Sequence, residues 1–272
     1  MELLPLEVRP LEPREIDEAV EVLALTYGPA ATRGTRAAMA AAPRAWFIAR
    51  REGAAAGVVT ANVYGRVAYV AMLAVVPQHR RNGVATRLME TLLTQLETNG
   101  CATILLDATA EAESLYRRLA FVEIDRTRVF ARAAPPPAGQ ASPDVPRATL
   151  ARALELDAAV YGCDRSAALR GFASAPYALA VSEDDGYAML RGPVLGPFAA
   201  AHDATAERLL TRVLALRPHV ERAFPPSANP AAAALLEAHG FACARTLAHM
   251  ARGAASPFRR ERIFSQASLG HG

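Results

Sequence analysis

The sequence predicts a mixed α/β fold in two domains arranged in tandem. Three observations carry that expectation. Apolar patterns in the first half switch repeatedly between strand and helix periods. A proline-rich stretch interrupts the chain near its middle, and the second half repeats a similar but shorter course. At 272 residues, 52 % of them hydrophobic, the chain exceeds one ordinary core and has apolar material for two. The expected organisation is a first domain over 1–132, a linker over 133–147, and a second domain with a C-terminal tail over 148–272.

Leu6 to Arg9 reads as a short strand. Arg14 to Leu25 carries Ile16, Ala19, Val20, Leu23 and Ala24 at a helical period, and an alanine-rich helix is expected over Arg36 to Ala42. Trp46 to Arg50, Ala56 to Tyr64 and Val67 to Val76 read as strands separated by turns at Gly53 and Gly65. Pro77 stops the last, because it has no N–H to give a ladder. From Asn82 the period changes: Val84, Ala85, Leu88, Met89, Leu92, Leu93 and Leu96 form one stripe of an amphipathic helix that ends near Asn99-Gly100. Cys101 to Ala108 follows as a buried-type strand, Ala110 to Leu119 as a helix, and Phe121 to Ala131 as one or two closing strands.

Pro135, Pro136, Pro137, Pro143 and Pro146, with Gly139, mark Ala133 to Pro146 as a semi-rigid linker. Beyond it helices are expected near Leu150 to Ala159, over Ala204 to Leu216 and over Pro230 to Ala238. Strands are expected near Tyr177 to Val181, Tyr187 to Leu190, Val220 to Phe224 and Thr246 to Met250. Asp164-Arg165 and the glycine–proline pairs Gly192-Pro193 and Gly196-Pro197 are candidates for a special surface, with ordinary loop chemistry the favoured reading. The tail from Pro257 to Gly272 gives no sign of whether it docks.

Composition narrows the function. The net charge of +3 is too mild to imply nucleic acid, and all 30 basic residues are arginine. Charges interrupt the opening MELLPLEVRPLEPRE, and no apolar run approaches a membrane span. The expectation is therefore a cytoplasmic protein without a membrane or nucleic-acid partner. Cys101, Cys163 and Cys243 are scattered and odd in number, which reads as reduced packing residues and no metal site. There is no Lys-Ser or Lys-Thr phosphate loop, no G-x-S-x-G, no H-E-x-x-H and no C-x-x-C.

The most informative stretch is Leu73-Ala-Val-Val-Pro-Gln-His-Arg-Arg-Asn-Gly-Val-Ala85, where a strand runs through a short loop into the long helix. The first amides of a helix lack intrahelical partners, and the helix dipole makes that end electropositive, so an anion suits it. Gly83 removes a side chain that would hold a phosphate off the backbone, Ala85 adds little bulk, and Arg80 and Arg81 add positive charge. Arg80-x-x-Gly83-x-Ala85 resembles the pyrophosphate loop, Q/R-x-x-G-x-G/A, of the GNAT superfamily of acetyl-coenzyme-A-dependent acetyltransferases. Asp107-Ala-Thr-Ala-Glu-Ala-Glu-Ser-Leu-Tyr-Arg-Arg-Leu-Ala-Phe121 is similar to the later signature of that family, N-x-x-A-x-x-L-Y followed by G-F. Ala112, Leu115, Tyr116 and Phe121 fall in place, and the resemblance covers most of residues 6 to 131.

The resemblance implies a mostly antiparallel central sheet flanked by helices in each domain, with acetyl-coenzyme A lying where the strand before the loop splays from its neighbour. It assigns to the coenzyme the backbone of Leu73, Ala74 and Val75, the loop and helix start Arg80, Arg81, Asn82, Gly83, Val84, Ala85 and Thr86, and Thr109 and Ala112 from the second signature. It makes Tyr116 the general acid toward the leaving thiolate; the plain alternative is a tyrosine that packs its helix. An N–H near Leu73 or Ala74 would stabilise the developing oxyanion. Two departures stand out. Thr109 replaces the expected asparagine, altering one coenzyme hydrogen bond, and Ala120 replaces the glycine before phenylalanine, which argues against a left-handed backbone there. No general base is assigned: Val67 to Val76 holds no carboxylate, and Asp107, Glu111 and His79 read as solvated or capping residues.

Leu235-Leu-Glu-Ala-His-Gly-Phe241 echoes Leu115 to Phe121, with Asn229 and Ala232 in the places of Thr109 and Ala112. The second half therefore reads as a degenerate copy. Leu236 stands where Tyr116 stands, and Leu195 to Ala206 lacks the loop. The expected function is transfer of an acetyl group to a primary amine of a small molecule or peptide by direct attack. The alternative is a non-catalytic acyl-coenzyme-A sensor or scaffold. The acceptor, the acyl-chain preference and homo-oligomerisation stay open.

Overall fold

The computed structural model describes residues 6–29, 34–42, 45–134, 145–175 and 178–272. The expected linker is thus described only at its ends, and Tyr177 lies outside the described residues. The chain divides into two compact units, one reaching Ile104 and one running from Leu105 to Gly272.

In the first unit β1 (Leu6–Pro10), β2 (Trp46–Arg51), β3 (Ala54–Tyr64) and β4 (Val67–Val75) pair antiparallel in that order. The chain makes α1 (Ile16–Tyr27) and α2 (Thr35–Ala41) between β1 and β2, and α3 (Val84–Thr98) after β4. Alternation along β3 sends neighbouring residues to opposite faces. Val58 packs with Ala19, Val22 and Leu23 of α1, while Gly57 lies against Val84 and Leu88 of α3. The stripe of α3 buries Val84, Leu88, Met89, Leu92, Leu93 and Leu96, as its period predicts; Ala85 is only half-buried.

β5 (Thr103–Ala108) carries the unit boundary and leads into α4 (Ala110–Arg118) and β6 (Val122–Ala131). α5 (Arg147–Tyr161), α6 (Ser166–Ala173), β7 (Leu179–Glu183), β8 (Gly186–Arg191) and β9 (Val194–Ala200) follow. Then come α7 (Asp203–Leu216), β10 (Arg222–Ala223), α8 (Pro230–Ala238), β11 (Ala242–Gly253) and β12 (Ile263–Ser265). The strand order is β5-β11-β6-β10-β9-β8-β7, with β12 beside β9. β9 and β10 are parallel; β11 with β6, β6 with β10, β7 with β8, β8 with β9 and β9 with β12 are antiparallel. The closing strands of the two sequence halves therefore interleave. β11 lies between β5 and β6, and β6 lies between β11 and β10.

Three expectations need correction, and the tail, which the sequence left open, has a definite place. Gly196-Pro197 is no loop but the interior of β9. There Gly196 and Pro197 oppose the single residue Met189, a bulge that accommodates a residue without an N–H. Arg165 is no surface residue: it is 2 % exposed, donates to Asp157 at 3.1 and 3.2 Å, and lies over the Tyr161 ring. The tail docks, since Ser265 Oγ donates to the Leu195 carbonyl at 2.7 Å and Arg165 donates to the His271 and Gly272 carbonyls at 3.0 Å. All three cysteines are free, but Cys243 is exposed and is no core packing residue. Strand periodicity also missed α6, and the strand expected over Val220 to Phe224 shortens to Arg222–Ala223.

The two echoing segments fold alike. Phe121 N–H bonds to the Tyr116 carbonyl and Ala120 N–H to that of Arg117; Phe241 and Gly240 make the same bonds to Leu236 and Glu237. This is the cap in which the residue after a helix turns left-handed to satisfy the last carbonyls. Ala120 accordingly sits at φ +61, against the expectation drawn from its lack of a glycine, and Gly240 at φ +81. The cap bonds and the burial of Phe121, 1 % exposed, outweigh the steric cost of the alanine Cβ. Ala120→Gly should therefore raise unfolding stability by about 1 kcal/mol, and Gly240→Ala lower it by about the same. Urea denaturation of both variants checks the pair, and equal stability of Ala120→Gly and the parent would refute the strain.

Candidate functional site

The site in the first unit starts with an irregularity in β4. Val58 pairs with Ala74 and Thr60 with Ala71, so Met72 and Leu73 oppose the single residue Val59. Met72 takes φ +55 to make this bulge, which bends the strand and re-aims the backbone that follows. Two backbone oxygens past the bulge are held by side chains. The Tyr27 hydroxyl, at the end of α1, donates to the Leu73 carbonyl at 2.6 Å, and Arg80 Nε donates to that of Val75 at 3.1 Å. Desolvation of the Tyr27 hydroxyl pushes its pKa up to about 12, although the residue as a whole stays exposed. Ala74 is buried, while Leu73 and Val75 are half-buried.

After β4 a short turn over Pro77–His79 leads to Arg80. Arg81 at φ +61 and Gly83 at φ +76 bracket Asn82 in left-handed conformations, and Gly83 opens α3. An ideal Cβ on Gly83 would meet nothing within 4 Å, so the backbone angle, not crowding, demands glycine here. The same open space leaves its amide approachable. Among the described residues no side chain caps α3, and its first turn holds no acidic residue. Arg80, Arg81, Asn82 and Gly83 are exposed, Val84 is buried, and Ala85 and Thr86 are half-buried. The arrangement leaves the first amides of a 15-residue helix without a side-chain cap at its positive end, a setting that suits an anion. His79 is half-buried at the edge of this loop.

The remaining predicted residues belong to the second unit. Thr109 is the N-cap residue of α4, and Ala112 lies in its first turn, with its amide bonded to the Thr109 carbonyl at 2.9 Å. Glu111 is exposed beside them, and its own backbone N–H and the Thr109 hydroxyl hold its carboxyl below the usual range. Tyr116 is 7 % exposed and meets Phe121 edge-on, with ring centroids 5.8 Å apart.

Asp107 corrects an expectation: its side chain is fully buried, not solvated. It accepts from Thr127 Oγ1 at 2.7 Å, His249 Nδ1 at 3.0 Å and Gln266 Nε2 at 3.0 Å. When Asp107 is ionised it only accepts, and His249 then carries its proton on Nδ1. Arg260 extends the network, donating to Asp125 at 2.6 Å, to Gln266 Oε1 at 2.5 Å and to Thr127 Oγ1 at 3.2 Å. Sequence reading found neither this network nor Tyr27, because their members come together only through the strand order and the docked tail.

With that geometry in view, the class follows: a mixed α/β protein whose bulged strand runs through a left-handed loop into an uncapped helix. Residues 14–121 match the family model described as Acetyltransferase (GNAT) family, and residues 153–265 match one described as Acetyltransferase (GNAT) domain. The chain belongs to the GNAT acetyltransferases, a family of acyltransferases, and holds two of its domains in tandem. Its fold is shared with a Pyrococcus horikoshii protein titled as an acetyltransferase, at TM-score 0.85 and 19 % identity over 100 % of this chain and 98 % of that one. GCN5-related N-acetyltransferases from Kribbella flavida (TM-score 0.63, 16 % identity, 92 % and 71 % covered) and Sphaerobacter thermophilus (0.61, 14 %, 92 % and 96 %) are also similar. No curated protein matches the chain significantly. Among the described residues no helix is long and apolar enough to cross a membrane, and no group of three His, Cys, Asp or Glu could hold a metal.

The Asp107 network has a consequence for pH. Burial holds the His249 imidazole below its usual range, and the Arg260 charge adds to this. Burial also brings His271 down to about 3. The unfolded chain, with histidines near 6.5, therefore binds more protons than the native one below that pH. Stability should be full above pH ~6.5 and decline as the pH falls below it. Urea denaturation between pH 7.5 and 5 reads this slope, and His249→Gln should flatten it; a slope unchanged in the variant would remove His249 as a source.

Proposed function

We propose that the chain is an N-acetyltransferase that moves an acetyl group from acetyl-coenzyme A to a primary amine of a small molecule or peptide. The observation that carries this reading is the uncapped, left-handed entry to α3 directly after the β4 bulge. The amides at Gly83, Val84, Ala85 and Thr86 suit the coenzyme's diphosphate, with Arg80 and Arg81 adding charge at its rim. Leu73 and Val75 present backbone to the pantetheine arm, and the Tyr27 and Arg80 bonds to their carbonyls yield when that arm enters. Thr109 and Ala112 contribute from the start of α4.

In this reading the neutral amine attacks the thioester carbon, the nitrogen–carbon bond forms, and the carbon–sulfur bond breaks. The N–H near Leu73 or Ala74 stabilises the oxyanion, the Tyr116 hydroxyl delivers a proton to the departing sulfur, and the proton that the attacking nitrogen sheds passes to water, from which Tyr116 is reprotonated. The second domain, 148–272, serves as a copy that does not turn over coenzyme. Its helix α7 starts with Asp203 in the first turn, and Thr205 hydrogen-bonds Asp185 at 2.8 Å beside that start. Carboxylates thus occupy the end of α7 where α3 has none, and they repel a diphosphate.

A thermal-shift titration with coenzyme A and acetyl-coenzyme A tests the site, since a ligand specific for the native state raises Tm with concentration. A saturable shift is expected, lost in Gly83→Trp because tryptophan strains φ +76 and covers the amides; no shift in the parent protein at millimolar coenzyme would sink the reading. Tyr116→Phe tests the chemistry. Turnover with an accepted amine should fall about a hundredfold with coenzyme affinity kept, and unchanged turnover would remove Tyr116 from the mechanism. Tight coenzyme binding without transfer to any amine would instead favour a sensor.

A further inference from the structure

Two adjacent arginines close β2, and strand alternation sends them to opposite faces. Arg50 turns toward α1, where Glu15 and Glu18 each accept from it at 2.8 Å. Arg51 turns toward the α3 side. It is 7 % exposed, and its Nη2 donates to the Asn82 carbonyl at 3.3 Å. Among the described residues its buried Nε has no hydrogen-bond partner and no carboxylate pairs with it. A buried cation is costly unless a counter-charge and hydrogen bonds compensate it. The protein compensates Arg50 twice and leaves Arg51 to a single carbonyl.

That carbonyl belongs to the same peptide as the Gly83 N–H, at the entry to α3. A guanidinium drawing on the oxygen polarises the peptide and makes the amide a stronger donor. Arg51 also sets a full positive charge behind a loop whose front already carries the partial charge of the helix end. Arg80 and Arg81 are exposed, so salt screens them; the charge of Arg51 is screened much less.

We propose that Arg51 is a positioning residue of the diphosphate site: it fixes the Asn82–Gly83 peptide, and the diphosphate of an acyl-coenzyme A is the counter-ion it lacks. The inference rests on the coenzyme reading above and adds a buried charge from β2 that the loop motif does not contain. It also makes a signed statement about the ligand-free protein, in which Arg51 is a burden that the anion relieves.

The experiment follows Tm and calorimetric affinity for the full chain, Arg51→Met and Arg51→Lys, with coenzyme A and inorganic diphosphate as probes. Arg51→Met should leave the ligand-free Tm equal or raised, lower coenzyme A affinity at least tenfold, and abolish the diphosphate-induced shift. Arg51→Lys, which keeps the charge, should recover part of the affinity. A lowered ligand-free Tm with coenzyme affinity unchanged would make Arg51 purely structural and overturn the proposal. Should Arg51→Met fail to fold, Arg51→Gln replaces it, and equal coenzyme affinity in the Gln and Lys variants would likewise overturn the charge role. If the parent protein binds diphosphate but not coenzyme A, and Arg51→Met loses that binding, the anion site survives and the coenzyme reading fails. If the parent protein binds neither probe, both fall.

Discussion

Helix α3 begins without a side-chain cap and without an acid in its first turn, and the rest of the candidate site is arranged around that deficit. Helix ends ordinarily recruit a Ser, Thr, Asp or Asn to take their free amides. Here the chain supplies two left-handed residues, Arg81 and Gly83, and, among the described residues, no side chain that covers the amides. A buried guanidinium stands behind and two exposed ones stand in front. Each choice leaves positive potential unanswered by the protein, a cost that an external anion can offset.

The sequence showed this junction because its determinants are local. Pro77 ends a strand, Gly83 permits a left-handed turn, and a 3.6-residue stripe begins at Val84. The stripe of α3 and the bounds of most strands followed for the same reason. What stayed hidden depends on partners distant in the chain. Arg51 and Arg50 are indistinguishable as neighbours in a strand, and only the face each takes shows which one is compensated. The interior of β9 was hidden by Gly196-Pro197, whose turn character is overridden by a bulge against β8. Ala120 misled because its own propensity opposes the conformation that two cap bonds and the burial of Phe121 impose.

Asp107 reads from the sequence as a solvated or capping residue, and nothing local marks it as buried. Its burial follows from the interleaving of β11 between β5 and β6. Each of the three strands sends a polar side chain into one network: Asp107 from β5, His249 from β11, and Thr127 and Asp125 from β6, with Arg260 and Gln266 of the docked tail closing it. A one-residue slip of any strand would turn its member to the other face and leave the remaining charges buried without partners. The network therefore specifies register where small apolar residues such as Ala248 and Ala251 on β11 specify little.

The two domains share the backbone of a C-terminal cap almost bond for bond yet differ in one side chain at that cap and in the helix start that precedes it. Leu236, 1 % exposed, fills the place of Tyr116 with a side chain that has no proton to give. Helix α7 likewise opens beside Asp185 and Asp203 instead of a left-handed, arginine-flanked loop. The cap serves folding, because it ends a helix and seats a phenylalanine, and such a role persists in any copy that must still fold. The helix start and the tyrosine, to which we assign the ligand, are the features the second copy lacks. Where a duplicated domain keeps the backbone cap of a motif and loses its loop and one side chain, the kept part marks the demands of folding and, on the proposed function, the lost part those of chemistry.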